Sequence, residues 1–132
     1  MKDLITFVDT SEPLQKKWGS RMTKWMREAG IKKPIRLELI DDDKVDDEAL
    51  GRYIIATKLI RVSLRHRADL VKFTLFHEIG HRYQANLNLV LPFFGLDPLE
   101  RDANKRALAW GAYPTDKGVI KYLREQGVLG YD

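Results

Sequence analysis

The sequence predicts an α+β domain: a small antiparallel sheet beside a central helix, with a second helix packed across that one. Three observations carry the prediction. Apolar residues recur at helical spacing over residues 13–29, 68–85 and again after Asp97. They alternate with polar residues between Ile35 and Leu39, and two β-rich runs, 52–56 and 59–64, flank a tight turn at Thr57 and Lys58. At 132 residues the chain is expected to form one domain, 1–132, with a core large enough to need no staples.

The first eight residues hold one short apolar patch broken by charge and no small-residue cleavage site, which does not read as a signal peptide. Thr10 or Ser11 is placed to cap the first helix, Pro13 suits its first turn and Gly30 closes it. Leu14, Trp18, Met22, Trp25, Met26 and Ala29 share one face of that helix, which reads as core. Pro34 then opens a run in which Ile35, Leu37 and Leu39 oppose Arg36 and Glu38, the pattern of a half-buried strand. Residues 41–48 read as an acidic loop; it has the carboxylates of a calcium loop but not the glycine or the terminal glutamate. The hairpin 52–56 and 59–64 leads straight into the helix expected at 68–85. Leu70, Phe73, His77, His81 and Gln84 line one side of it, with Val71, Leu75, Ile79 and Arg82 opposite, so it is expected between the sheet and another helix. Residues 87–96 are apolar and irregular, and Pro92 and Gly95 exclude a regular helix. They read as a strap along the edge of the core, or else as a cleft wall or docking surface.

Hydrophobic residues make up 44% and charged residues 32%, the balance of an ordinary water-soluble protein. No run approaches the length of a membrane span, so no membrane partner is expected and the expected compartment is the cytoplasm. Cysteine is absent, so any metal must be held by nitrogen and oxygen. Between Asp41 and Glu48 six carboxylates against Lys44 give net −5, leaving +9 on the rest of a chain whose total is +4. Lys16, Lys17, Arg21, Lys24 and Arg27 gather on the first helix, and Arg61, Arg65 and Arg67 further on. Without interleaved aromatics or a recognition motif these read as solvated faces, and no direct nucleic-acid binding is expected.

The chemistry concentrates at His77-Glu78-Ile79-Gly80-His81, an H-E-x-x-H sequence on the central helix. Histidines four apart stand one above the other, and their imidazoles can share one metal ion at about 2.0–2.1 Å from each nitrogen. Glu78 projects about 100° round the helix, within reach of an attacking water without being a ligand itself. The pattern is the signature of a zinc peptidase. Gly80 costs the helix about 1 kcal/mol against alanine, which implies that something packs closely there.

Two histidines leave a catalytic zinc one protein ligand short. Gln84 and Leu87 occupy the places where a metzincin carries its glycine and third histidine, and no histidine follows His81, which argues against SprT-like peptidases. Glu100 is the strongest candidate, with His66 the alternative. Asp97 and Pro98 mark a helix start, Leu99, Ala103, Ala107 and Trp110 form its buried stripe, and Glu100 and Asn104 share an adjacent face. The alanines allow close approach to the central helix, so that Glu100 reaches the metal while Asn104 holds a ligand from behind. A capping box with Asp97 is the competing use of Glu100. An oxyanion donor is also required, and His66, Tyr83 and Tyr113 are candidates.

The run Phe73-Thr74-Leu75-Phe76-His77-Glu78-Ile79-Gly80-His81, then Glu100-x-x-Ala103-Asn104-x-x-Ala107, then Pro114, resembles the ImmA/IrrE-type metallopeptidases of bacteria and their mobile elements. The resemblance spans roughly residues 50–125. It implies a minimal zincin-like domain of gluzincin type, in which His77, His81 and Glu100 bind zinc and Glu78 is the general base. It further implies a zinc-dependent endopeptidase that cuts a protein substrate at a specific site, with a helix-turn-helix repressor of a mobile element or stress response as the expected partner. The chain departs from the family at Arg106, where a phenylalanine is frequent, and its 132 residues are not expected to hold an added DNA-binding or sensor domain. The alternatives are a non-catalytic, metal-braced binding module acting as an antirepressor, or another gluzincin with a different substrate, such as a relative of the lethal-factor catalytic domain. In the peptidase reading, the 59–64 strand is expected to be the open sheet edge that a substrate segment joins.

Overall fold

A computed structural model of the protein describes residues 3–41, 50–84 and 97–130. The readings of 87–96 and of most of the acidic loop fall outside these residues. In chain order the elements are β1 (Ile5–Phe7), α1 (Glu12–Glu28), β2 (Ile35–Ile40), β3 (Gly51–Ile54), β4 (Leu59–Ser63), α2 (Ala68–Tyr83), α3 (Asp97–Ala109) and α4 (Lys117–Glu125). The α+β class holds, but the sheet is mixed rather than antiparallel. Its order is β1-β2-β4-β3, with β1–β2 and β2–β4 parallel and only β3–β4 antiparallel.

The parallel pairs follow from the connections. Parallel neighbours need a long crossover, and α1 provides it between β1 and β2. The three residues of β1 are too few to show alternation, and they become a strand because β2 offers partners: Ile5 pairs with Ile35 and Phe7 with Leu37. The hairpin then enters with β4 innermost, Leu37 opposite Ile60 and Leu39 opposite Val62, so β3 is left outside. The expected edge at 59–64 is therefore an interior strand, and among the described residues β3 is the outermost strand on that side of the sheet. Lys58 takes the left-handed conformation (φ 56°) that closes the tight turn.

Helix α1 starts with Pro13 in its first turn and Ser11 at the N-cap, but the Ser11 side chain makes no capping bond. Thr10 instead ties the chain to the sheet, donating to Val8 O and accepting from Leu39 N at 3.1 Å. Gly30, at φ 76°, turns the chain out of the helix. Trp18, Met22 and Met26 are buried; each such side chain contributes about 1.5–3 kcal/mol by leaving water. They join Ile35, Leu37, Leu39, Ile60 and Val62 from the sheet and Val71, Leu75 and Ile79 from α2 in one core.

Helix α2 lies between β3 and β4 on one side and α3 on the other, which is why ten of its residues are buried. Trp110 follows α3 and packs edge-on against Phe76 and Tyr83. Asp69, in the first turn of α2, accepts from both Thr115 N and Thr115 Oγ1 at 2.7 Å, fastening the segment before α4. Asp116 caps α4 by accepting from Val119 N. Among the described residues no helix is long and apolar enough to cross a membrane.

Candidate metal centre

The site lies where α2 and α3 touch. A Cβ added at Gly80 would stand 3.1 Å from Ala103 Cα, 3.2 Å from Ala103 O and 3.3 Å from Ala103 Cβ. The glycine between the histidines and the alanine on α3 thus let two backbones approach in a way larger residues forbid. Ala103 and Ala107 are fully buried in that seam, and Glu100, one turn before Ala103, is carried over the histidine face.

Both imidazoles point their Nε2 atoms at Glu100. His77 Nε2 stands 3.0 Å from Oε2 and His81 Nε2 2.7 Å from Oε1. Both carboxylate oxygens of Glu100 thus face imidazoles; the capping-box reading with Asp97 falls outside the described side chains. The outer ring nitrogens are held as well: His77 Nδ1 donates to Asn104 Oδ1 at 2.5 Å and His81 Nδ1 to Gln84 Oε1 at 2.9 Å. Gln84 Nε2 in turn donates to Leu99 O (2.8 Å) and Asp102 Oδ2 (3.1 Å). Arg106, the residue that departs from the resembled family, donates to the same Asp102 oxygen at 2.8 Å. It helps hold the acceptor that fixes Gln84.

Glu78 completes the group. The ligand-type atoms of His77, Glu78 and His81 lie within 4.8 Å of one another, and Glu78 is buried. Burial pushes its carboxyl above the usual carboxylate range and Glu100 adds in the same direction, while His77, His81 and Arg52 oppose. A carboxylate so placed is a better proton acceptor than one in water. Space for it comes from β3: a Cβ at Gly51 would meet Thr74 Cγ2 at 2.6 Å, Arg61 O at 2.8 Å and Glu78 Oε2 at 3.3 Å.

Glu100 behaves oppositely. Burial works against its charge, yet hydrogen bonds from His77 and His81 hold its carboxyl well below the usual range. His81 is the counterpart: burial opposes its charge, but bonding to Glu100 and Gln84 raises it above the ordinary imidazole value.

The donor set suits a divalent cation. Each imidazole has an acceptor on both of its nitrogens, so each ring must either carry two protons or present Nε2 to a cation. A cation between the two Nε2 atoms and the carboxylate resolves this with neutral rings, their Nδ1–H groups already bonded outward. His77, Glu78 and His81 form a group that could hold a metal ion, without itself naming which.

Comparison of the chain with protein-family models, with curated proteins and with solved structures returned no match.

The structure thus brings together His77, Glu78, His81, Glu100 and Asn104. It leaves the other candidates elsewhere. His66 lines an open cleft of about 510 Å³ with Arg65, Arg67, Asp69, Leu70 and Asp116, at the opposite end of α2. Some 14 Å of helix separates that end from His77 at 1.5 Å per residue, so His66 is neither a third ligand nor an oxyanion donor. Tyr83 accepts from Lys33 N and lies under the Lys33 ammonium, and Tyr113 is 63% exposed beyond α3. Among the described residues Tyr53 on β3 reaches the site, stacked 6.4 Å from the His81 ring at an interplanar angle of 16°. Burial raises its hydroxyl pKa, against the pull of Arg82. The alternation of Gly51 and Tyr53 against exposed Arg52, paired with buried Ile60, was the signal for it.

Proposed function

We propose that this protein is a zinc-dependent endopeptidase that cuts a protein substrate at one or a few sites, a DNA-binding repressor being the substrate class implied by the family resemblance. The observation that carries the reading is the convergence of two imidazole Nε2 atoms on one carboxylate beside a buried second carboxylate. His77, His81 and Glu100 are the residues that would hold zinc, and Glu78 is the general base. A zinc ion bound there supplies a Lewis acid that polarises a carbonyl and makes water acidic near neutral pH. Glu78 takes the proton of the attacking water at its carboxylate and delivers it to the departing amine. Its burial strengthens it as a base and keeps it out of competition with bulk water. Backbone groups along the outer edge of β3 offer an extended substrate segment a strand to pair with, next to Gly51 and Tyr53 and so next to Glu78.

Elemental analysis of the purified protein tests the centre: about one zinc per chain is expected, lost in His77→Ala and His81→Ala and reduced in Glu100→Ala. Incubation with casein and with a co-encoded repressor tests the activity. Glu78→Gln should keep zinc and lose turnover by about 10²–10⁴. An unchanged rate in that variant would remove Glu78 from catalysis, and full zinc in His77→Ala would remove the site.

A further inference from the structure

Strand register sets a row of charge across three strands. Glu38 on β2 pairs with Arg61 on β4, and Arg61 pairs with Arg52 on β3. Side chains in such a row share one face of the sheet. It is the face turned away from α2, because Gly51 and Tyr53, on either side of Arg52, are the residues that border Glu78 and His81. The Glu38 carboxylate is committed to Arg61, 3.0 Å from its Nε. Arg52 is exposed, has no acidic partner among the described residues and stands directly opposite a like charge, an arrangement that costs stability. The row thus runs negative, positive, positive and stops at the outermost described strand.

The backbone says how a further strand would meet it. Ser63 N donates to Leu50 O at 3.0 Å. Bonded and non-bonded pairs alternate along an antiparallel ladder, so Arg52 and Arg61 form the next bonded pair and turn their backbone groups towards each other. The N–H and C=O groups of Gly51 and Tyr53 face outward instead. An added antiparallel strand would bond to those two residues and set one residue of its own directly opposite Arg52. That pair is of the non-hydrogen-bonded kind, in which Cα atoms come to about 4.5 Å and side chains are closest.

We propose that Arg52 is a specificity-determining residue: the substrate segment that joins β3 carries an aspartate or glutamate opposite it. The proposal rests on reading β3 as the strand that a substrate joins. The incoming carboxylate completes the row as negative, positive, positive, negative, and gives Arg52 a partner that offsets its repulsion with Arg61. A lysine or arginine there would set three cations in succession. Arg52 is also near enough to Glu78 for its charge to act on that carboxylate, so the acidic residue falls in the part of the segment that passes the site.

The test is an NMR titration of the metal-free full chain, in which the peptidase reading expects no hydrolysis. The probes are blocked five-residue peptides of alternating threonine and valine whose central residue is glutamate, glutamine or lysine. The glutamate peptide should shift the amides of Gly51 and Tyr53. It should bind about five-fold more tightly than the glutamine peptide, the upper end for one opposite-charge cross-strand pair, with the lysine peptide weakest. Arg52→Glu should reverse the order of the glutamate and lysine peptides, which a merely damaged fold does not do. Lys121→Ala, which removes one positive charge from exposed α4 surface, should leave the order unchanged. Equal binding of the glutamate and lysine peptides by wild type, an order that Arg52→Glu does not reverse, or unmoved Gly51 and Tyr53 amides overturns the proposal. Zinc-loaded protein that binds the glutamate peptide selectively, yet cuts neither it nor the repressor, retires the peptidase reading instead and leaves the selectivity of Arg52 standing.

Discussion

Replacing Gly80 with alanine sets two effects of similar size against each other. In an exposed helix the change is worth about 1 kcal/mol of added stability, because glycine has more backbone freedom to lose. Here the new methyl meets Ala103 Cα, O and Cβ at 3.1, 3.2 and 3.3 Å, all shorter than ordinary carbon contacts of about 3.5–4.0 Å. Two of the three are backbone atoms, so relief means moving α3 bodily by a few tenths of an ångström. Overpacking of this kind costs about 1–3 kcal/mol, so the net expectation is between no change and a loss of about 2 kcal/mol. The site reads the same movement more directly, because α3 carries Glu100 and Asn104 away from the histidines and zinc affinity falls. Ala103→Gly in the same chain restores only part of the loss, since it removes the Cβ contact and leaves the two backbone contacts. Urea unfolding of metal-free protein measures the first effect and chelator competition the second. A Gly80→Ala protein stabilised by about 1 kcal/mol with unchanged zinc affinity would refute the close-packing argument.

Gly51→Ala is expected to be worse tolerated, by about 1–3 kcal/mol, because its methyl would meet Thr74 Cγ2 at 2.6 Å and the Arg61 carbonyl at 2.8 Å; a urea midpoint equal to wild type would contradict it. Asp69 is held below its ordinary pKa chiefly by its bonds from Thr115, so its contribution is present above the unfolded value of about 3.9 and fades as pH falls through the lower folded value. Asp69→Ala should therefore be less stable than wild type at neutral pH, with the gap closing in acid; a gap independent of pH would mean that the carboxylate charge is not the source. Removing zinc with a chelator should lower the melting temperature of wild type but not of His81→Ala, and equal shifts in both would point to a second metal site.

The resemblance and the motif led to one site geometry because both rest on local arithmetic. Histidines four apart on a helix face one way in any fold, so His77 and His81 could be paired from the sequence alone. Close packing at Gly80 and close approach through Ala103 and Ala107 were each legible because small residues on a helix face have few other uses; that Gly80 meets Ala103 came from the structure. The alternation of Ile35, Leu37 and Leu39 reports one buried sheet face, and β2 has it. Gln84, three residues after His81, was within reach of the same reasoning as an i, i+3 neighbour.

Other features depended on which distant segments meet, and no spacing rule contains that. The alternation of β2 says which face is buried but not which strands lie beside it. The crossover through α1 made β1 a parallel partner, and the inward entry of the hairpin made β4 interior and β3 the edge. A three-residue strand such as β1 has no period of its own and exists only because Ile35–Ile40 offers it hydrogen bonds. Edge position in turn decided that Gly51 and Tyr53, rather than residues 59–64, border Glu78 and His81. Gln126 is the extreme case: it reaches Asn104 across 22 residues, a contact that exists only once α4 is seated against α3. Local periodicity determined which side chains could act together; long-range pairing decided what surrounds and orients them.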